Sequence, residues 1–153
     1  MHLPDELRLA FESDDAQELD RLIRQRRQDV FEALGDLLSD SSAPSEYRTK
    51  AFTALGRWGD QSVVPIMLHV LPQLTERERI AAIDALGRLG TAEAAAAISA
   101  YAEDDSPQVR KFVVLALDRI GTAEAREQLR RIAGADADAW LRQLAGSRLA
   151  AGD

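Results

Sequence analysis

Few residues in this chain have the type and spacing that chemistry requires. Its two histidines, His2 and His69, each lack a second histidine three or four residues away. That removes the H-E-x-x-H pattern and the spacing that puts two imidazoles on one helical face. Cysteine is absent, which excludes disulfides, thiol nucleophiles and thiolate metal sites. Acidic pairs occur at Asp14-Asp15, Asp104-Asp105 and Asp136/Asp138. Paired carboxylates can do acid–base work or hold Ca²⁺ or Mg²⁺. Here each pair falls in a turn that opens a helix, where free N–H groups and the helix dipole favour carboxylates. There is no G-x-G-x-x-G, no P-loop and no G-x-S-x-G, so no nucleotide site or hydrolase is indicated. The expectation is a chain without catalysis, metal or cofactor.

Arginine carries more information. Arg48, Arg79 and Arg110 form one series and Arg57, Arg88 and Arg119 another, both spaced by 31 residues. The second series falls in the last turn of a helix, where the dipole favours a cation by about 0.3–1 kcal/mol. Stacked repeats would also align it into a basic row, a candidate partner-binding surface. Lys111, Phe112 and Leu115 join the candidates. Leu115 stands in the column of Thr53 and Asp84, where exposure is expected, and Phe112 in that of Lys50 and Ala81. Apolar residues in such a row can anchor an interface. Trp140, near the C-terminal edge, is a further apolar residue out of place.

The elements that position these residues repeat. The segments ALGRWG, ALGRLG and ALDRIG begin at Ala54, Ala85 and Ala116, and seven columns around them agree at a period of 31. Each unit reads as two helices. The second buries Tyr47, Ala51, Ala54, Leu55 and Trp58, then Ala82, Ala85, Leu86 and Leu89, then Val109, Val113, Ala116, Leu117 and Ile120, one helical face each time. Glu78 breaks this pattern and is expected to point outward. The first helices offer Val63, Ile66 and Met67, then Ala94, Ala97, Ile98 and Tyr101, then Ala125, Leu129 and Ile132. Gly59, Gly90 and Gly121 are C′ stops. Asp60, Thr91 and Thr122 follow as N-caps. Ser106-Pro107 and the box Thr75-Glu76-Arg77-Glu78 open second helices. Residues 28–39 supply a further first helix, 3–12 and 14–27 a degenerate helical pair, and 138–150 a last helix with its register shifted by about two residues.

The run Asp104-Asp105-Ser106-Pro107-Gln108-Val109-Arg110, followed by Ala116-Leu117-Asp118-Arg119-Ile120-Gly121, resembles HEAT repeats. It is most similar to the short bacterial units also found in phycobilisome bilin lyase subunits. Asp118 departs from that pattern, which has glycine. The resemblance covers residues 28–150 and implies an all-α fold, a right-handed α-solenoid of helical hairpins, with residues 1–27 as a capping pair in a single domain 1–153. It implies first helices on the convex side and second helices on the concave side. It also implies that the arginine of the Arg48 series pairs with an aspartate of the adjoining turn, here Asp40, Asp104 or Asp105.

Length and charge bound the function. A chain of 153 residues buries about 68–70% of its unfolded surface, enough for a real core. Net charge is −7, which disfavours general adhesion to nucleic acid or anionic lipid. The apolar runs are too short for a membrane span, and no basic-then-apolar leader opens the chain. A cytoplasmic protein is expected. The second helices carry +2, 0, +2 and +1, whereas residues 1–44 carry −6. The expected function is a non-catalytic scaffold or adaptor. It would bind another protein, an acidic or mixed polar–apolar segment, on a mildly basic concave surface. The alternatives are a bilin-lyase-like or chaperone-like subunit and, against the charge and the lack of stacking aromatics, a HEAT-like DNA-binding protein.

Overall fold

The computed structural model describes residues 2–13 and 15–152; Asp14, of the Asp14-Asp15 pair, lies outside them. The described residues form ten α-helices and no strand. They are α1 (Asp5–Glu12), α2 (Ala16–Gln25), α3 (Gln28–Ser39), α4 (Ser45–Trp58), α5 (Val64–Val70), α6 (Glu76–Leu89), α7 (Ala92–Ser99), α8 (Pro107–Ile120), α9 (Ala123–Ala135) and α10 (Ala139–Ala151). Short 3-10 turns at Gln61–Val63 and Leu71–Gln73 flank α5. The architecture is an all-α solenoid.

The boundaries follow from the caps. Gly59, Gly90 and Gly121 have φ of 79°, 72° and 67°, the left-handed conformation that ends α4, α6 and α8 at low cost. Thr91 and Thr122 each accept a backbone N–H at 3.2 Å. Ser106 caps α8, with Pro107 as its first residue. The core runs through both helix layers. Phe52, Ile83 and Val114 are fully buried, a column at the same spacing of 31 that the expected face leaves out.

The second helices approach each other to backbone contact. A Cβ built on Gly56 would lie 2.8 Å from Ala85 Cα, and one on Gly87 would lie 2.7 Å from Ala116 Cα. These glycines are kept for close packing, against a helix-propensity cost of about 1 kcal/mol each. The third such contact is different. Asp118 occupies the glycine column, and Arg148 faces it in an ion pair at 3.5 Å. Arg148 stands in the alanine column because α10 is displaced by one residue, not two. Leu141, Ala145 and Leu149 fall 32 residues after Val109, Val113 and Leu117, and α10 packs chiefly on α9.

The Arg48 series forms a chain of contacts between units. Arg79 reaches the Asp104 carboxylate at 3.1 Å. Arg110 donates to the Asp104 carbonyl at 2.8 Å and to the Asp136 carboxylate at 3.0 Å. Arg142, which the sequence reading did not single out, continues it to the Asp136 carbonyl at 2.6 Å. Asp105 offers only its carbonyl to Arg110. Asp40 is outside the chain: its carboxylate accepts the Ser42 hydroxyl and amide, which hold it below the usual carboxylate range. Gln73 stands in the column of Asp104, so Arg48 has no aspartate ahead of it. It takes Glu78 at 3.1 Å instead.

Glu78 therefore points inward, contrary to expectation. It is 2% exposed. Besides Arg48 it accepts the Thr75 amide at 3.1 Å, completing the capping box. Burial here is possible because the Glu78 charge is paired with Arg48 and accepts a backbone amide.

Three outcomes test this packing by urea unfolding. Gly87→Ala should destabilise by about 1–3 kcal/mol, because the added methyl meets backbone. Gly146→Ala should stabilise by about 0.5–1 kcal/mol, because a Cβ there meets nothing within 4 Å and helix propensity alone decides. Glu78→Ala should destabilise by about 3–5 kcal/mol by leaving Arg48 buried and unpaired; a change near zero would mean the pair is solvated.

Candidate functional site: the exposed row of the second helices

The outer stripe of α8 carries Lys111, Phe112, Leu115 and Arg119, spaced so that one helical face presents them. Arg119 is exposed, while Lys111, Phe112 and Leu115 are half-buried. Phe112 packs against the core from this side, so its ring is shared between the core and the outer face.

The arginine row is laced with carboxylates. Arg57 pairs with Asp20 of α2. Arg119 reaches back from α8 to Asp84 of α6 at 2.7 Å. The corresponding position for Arg88 is Thr53, which has no charge, so Arg88 turns to Asp84 on its own helix at 3.1 Å. Two guanidiniums therefore share one carboxylate. Arg88 and Arg119 are brought together, whereas Arg57 is drawn to the acidic N-terminal pair of helices. Asp84 is the residue the sequence reading missed as a site member. Its signal was present, since Asp84 lies four residues before Arg88, a helical pair.

Trp140 joins the site from α10. The Lys111 ammonium lies 5.8 Å from the Phe112 ring centroid and 5.7 Å from that of Trp140, within cation–π range of both. Trp140 is 52% exposed. Lys111 has no ion-pair partner among the described residues. The face thus runs from Asp84 and Arg88 on α6, through α8, to Trp140 on α10.

The other large exposed hydrophobic among the described residues, Leu9 on α1, lies at the opposite end of the chain. A cleft between the turn after α7 and the C-terminal end of α9 is lined by Asp104, Arg110 and Asp136, whose polar atoms are engaged in the inter-unit chain. Among the described residues no group of three or more His, Cys, Asp or Glu is placed to hold a metal ion. His69 is exposed on α5. Among the described residues no helix is long and apolar enough to cross a membrane.

Comparison with protein families agrees with the all-α repeat fold. Residues 73–150 match the HEAT repeats family. The chain belongs to the HEAT-repeat proteins. The matched segment spans α6 to α10, the part that contains the face described above. HEAT repeats generally mediate protein–protein interaction. No curated protein matches the chain.

Quenching of tryptophan emission tests the placement of Lys111. Trp58 is in the core, so iodide should quench Trp140 selectively. Lys111→Glu should lower iodide quenching at low salt by about a factor of two or more, through reversal of a nearby charge. Quenching by neutral acrylamide should stay as it was; a parallel fall in both would show that the indole had become buried.

Proposed function

We propose that this HEAT-repeat chain is a non-catalytic, cytoplasmic adaptor that holds a partner protein on the exposed face of its second helices. The observation that carries this reading is the convergence of Arg88 and Arg119 on Asp84 beside half-buried Phe112 and Leu115 and exposed Trp140. A scattered leucine needs no explanation, but contiguous apolar and cationic side chains on one face have the composition of an interface. The backbone contacts at Gly56 and Gly87 support placing this face on the concave side, because the more tightly spaced layer of a curved stack is the inner one. An acidic or mixed polar–apolar partner segment suits the local charge.

A bilin-lyase-like role would turn the same arginines toward the propionates of a tetrapyrrole. A pigment titration without spectral change removes it.

Charge reversal tests the adaptor reading. Arg88→Glu combined with Arg119→Glu should leave the helical circular-dichroism signal intact and weaken capture of the native partner by about tenfold or more. Unchanged capture would reduce this row to helix capping and inter-helix pairing.

A further inference from the structure

Resting on that adaptor reading, we infer that the face from Asp84 to Trp140 takes an acidic amphipathic helix. One carboxylate of that helix sits on Lys111 and a second on the Arg88–Arg119 pair. An apolar side chain between them packs on Phe112 and Leu115.

The charges set the anchor points. Lys111 is held against two aromatic rings, which fix its position without cancelling its charge. Arg88 and Arg119 share the single charge of Asp84, which orients both guanidiniums and leaves one positive charge uncompensated. Asp84 is thus a positioning residue for the arginine pair. An Arg pair held by a carboxylate is pre-organised for a second one.

The spacing sets the partner. Lys111 and Arg119 are eight residues apart on α8, about 12 Å at 1.5 Å per residue. A partner helix repeats one face at i, i+4 and i+8 over the same distance. Glu–x3–Leu–x3–Glu therefore places its leucine opposite Phe112 and Leu115. An extended segment fits worse. The described residues present no strand edge, so the backbone amides of such a segment would lie on Phe112 and Leu115 without hydrogen-bond partners. A helix satisfies its own.

The break in the repeat explains why the site lies here. Between α4 and α6, and between α6 and α8, glycine nests on alanine. Between α8 and α10 the larger Asp118–Arg148 pair takes that place. It keeps α10 from nesting on α8 and leaves Trp140 at the surface beside half-buried Lys111. The net charge of −7 repels acidic molecules at a distance, so capture depends on these local cations, and polyanions such as duplex DNA are disfavoured.

The test titrates the full chain with an alanine-based helical peptide carrying Glu, Leu and Glu at i, i+4 and i+8. Saturable blue-shifting of tryptophan emission is expected, lost in Trp140→Phe. Lys111→Glu should weaken binding by about tenfold or more, and a peptide with Lys at the facing position should restore it. Lys111→Gln serves if the reversal variant loses its helical signal. No shift at millimolar peptide, equal binding of a peptide with both glutamates replaced by lysine, or an equivalent shift with duplex DNA overturns the inference. If the acidic peptide fails while native capture still depends on Arg88 and Arg119, the helix assignment falls and the adaptor reading stands. If capture is also indifferent to those arginines, both fall.

Discussion

The arrangement depends on one steric constraint, the contact of glycine with alanine between successive second helices. Gly56 meets Ala85 and Gly87 meets Ala116 at distances that leave no room for a Cβ. Backbone contact of this kind fixes both the spacing and the relative slide of two helices. It explains why the array is strictly periodic where the pairs are present. It also sets the reach of the polar side chains: Arg119 spans from α8 to Asp84 on α6 at 2.7 Å because α6 and α8 are nested at Gly87 and Ala116. The alignment of the arginine row is thus a by-product of packing.

Two ion-pair systems run along the stack in opposite senses. Near the start of the second helices, arginines reach forward, Arg48 to Glu78, Arg79 to Asp104 and Arg110 to Asp136. Near their ends, arginines reach back, Arg57 to Asp20, Arg119 to Asp84 and Arg148 to Asp118. The two sets differ in burial, and so in consequence. Pairs as exposed as Arg119–Asp84 contribute roughly 0–1 kcal/mol. Arg48–Glu78 is buried, and a buried pair adds little net stability yet is costly to break. The forward set is therefore costly to disrupt, while the backward set is weak enough to be rearranged.

Much of this was legible in the sequence because the signals were local. Gly59, Gly90 and Gly121 mark helix ends by backbone chemistry alone, and the Thr75 box declares its own helix start. What was not legible required knowing which units touch. Glu78 looked like a solvated first-turn acid, since nothing local shows that Arg48, thirty residues earlier, lies against it. The absence of an acid at Gln73 was the available clue. Asp84 could be found as a neighbour of Arg88, but not as the shared partner of Arg119. The Asp118–Arg148 exchange was hidden by a register error of one residue, enough to move Arg148 out of the alanine column and conceal its relation to Ala85 and Ala116.

That exchange bears on where recognition happens. A regular repeat makes every unit's surface alike, so a distinct site must arise where the repeat is broken. An end helix is expected to turn a polar face to water. On α2 it does: Gln17, Arg21, Arg24 and Gln25 are exposed. On α10 Gln143, Ser147 and Arg148 are exposed but so is Trp140, and polar capping does not account for an indole half in water beside an ammonium. The replacement of a small pair by Asp118 and Arg148 gives a steric cause for the same feature, because it separates α10 from α8 on the face that carries Lys111, Phe112 and Leu115. The unusual side chains and the irregular packing thus coincide on one face, which is why we propose that face, rather than the more regular surface of α4 and α6, as the one a partner occupies.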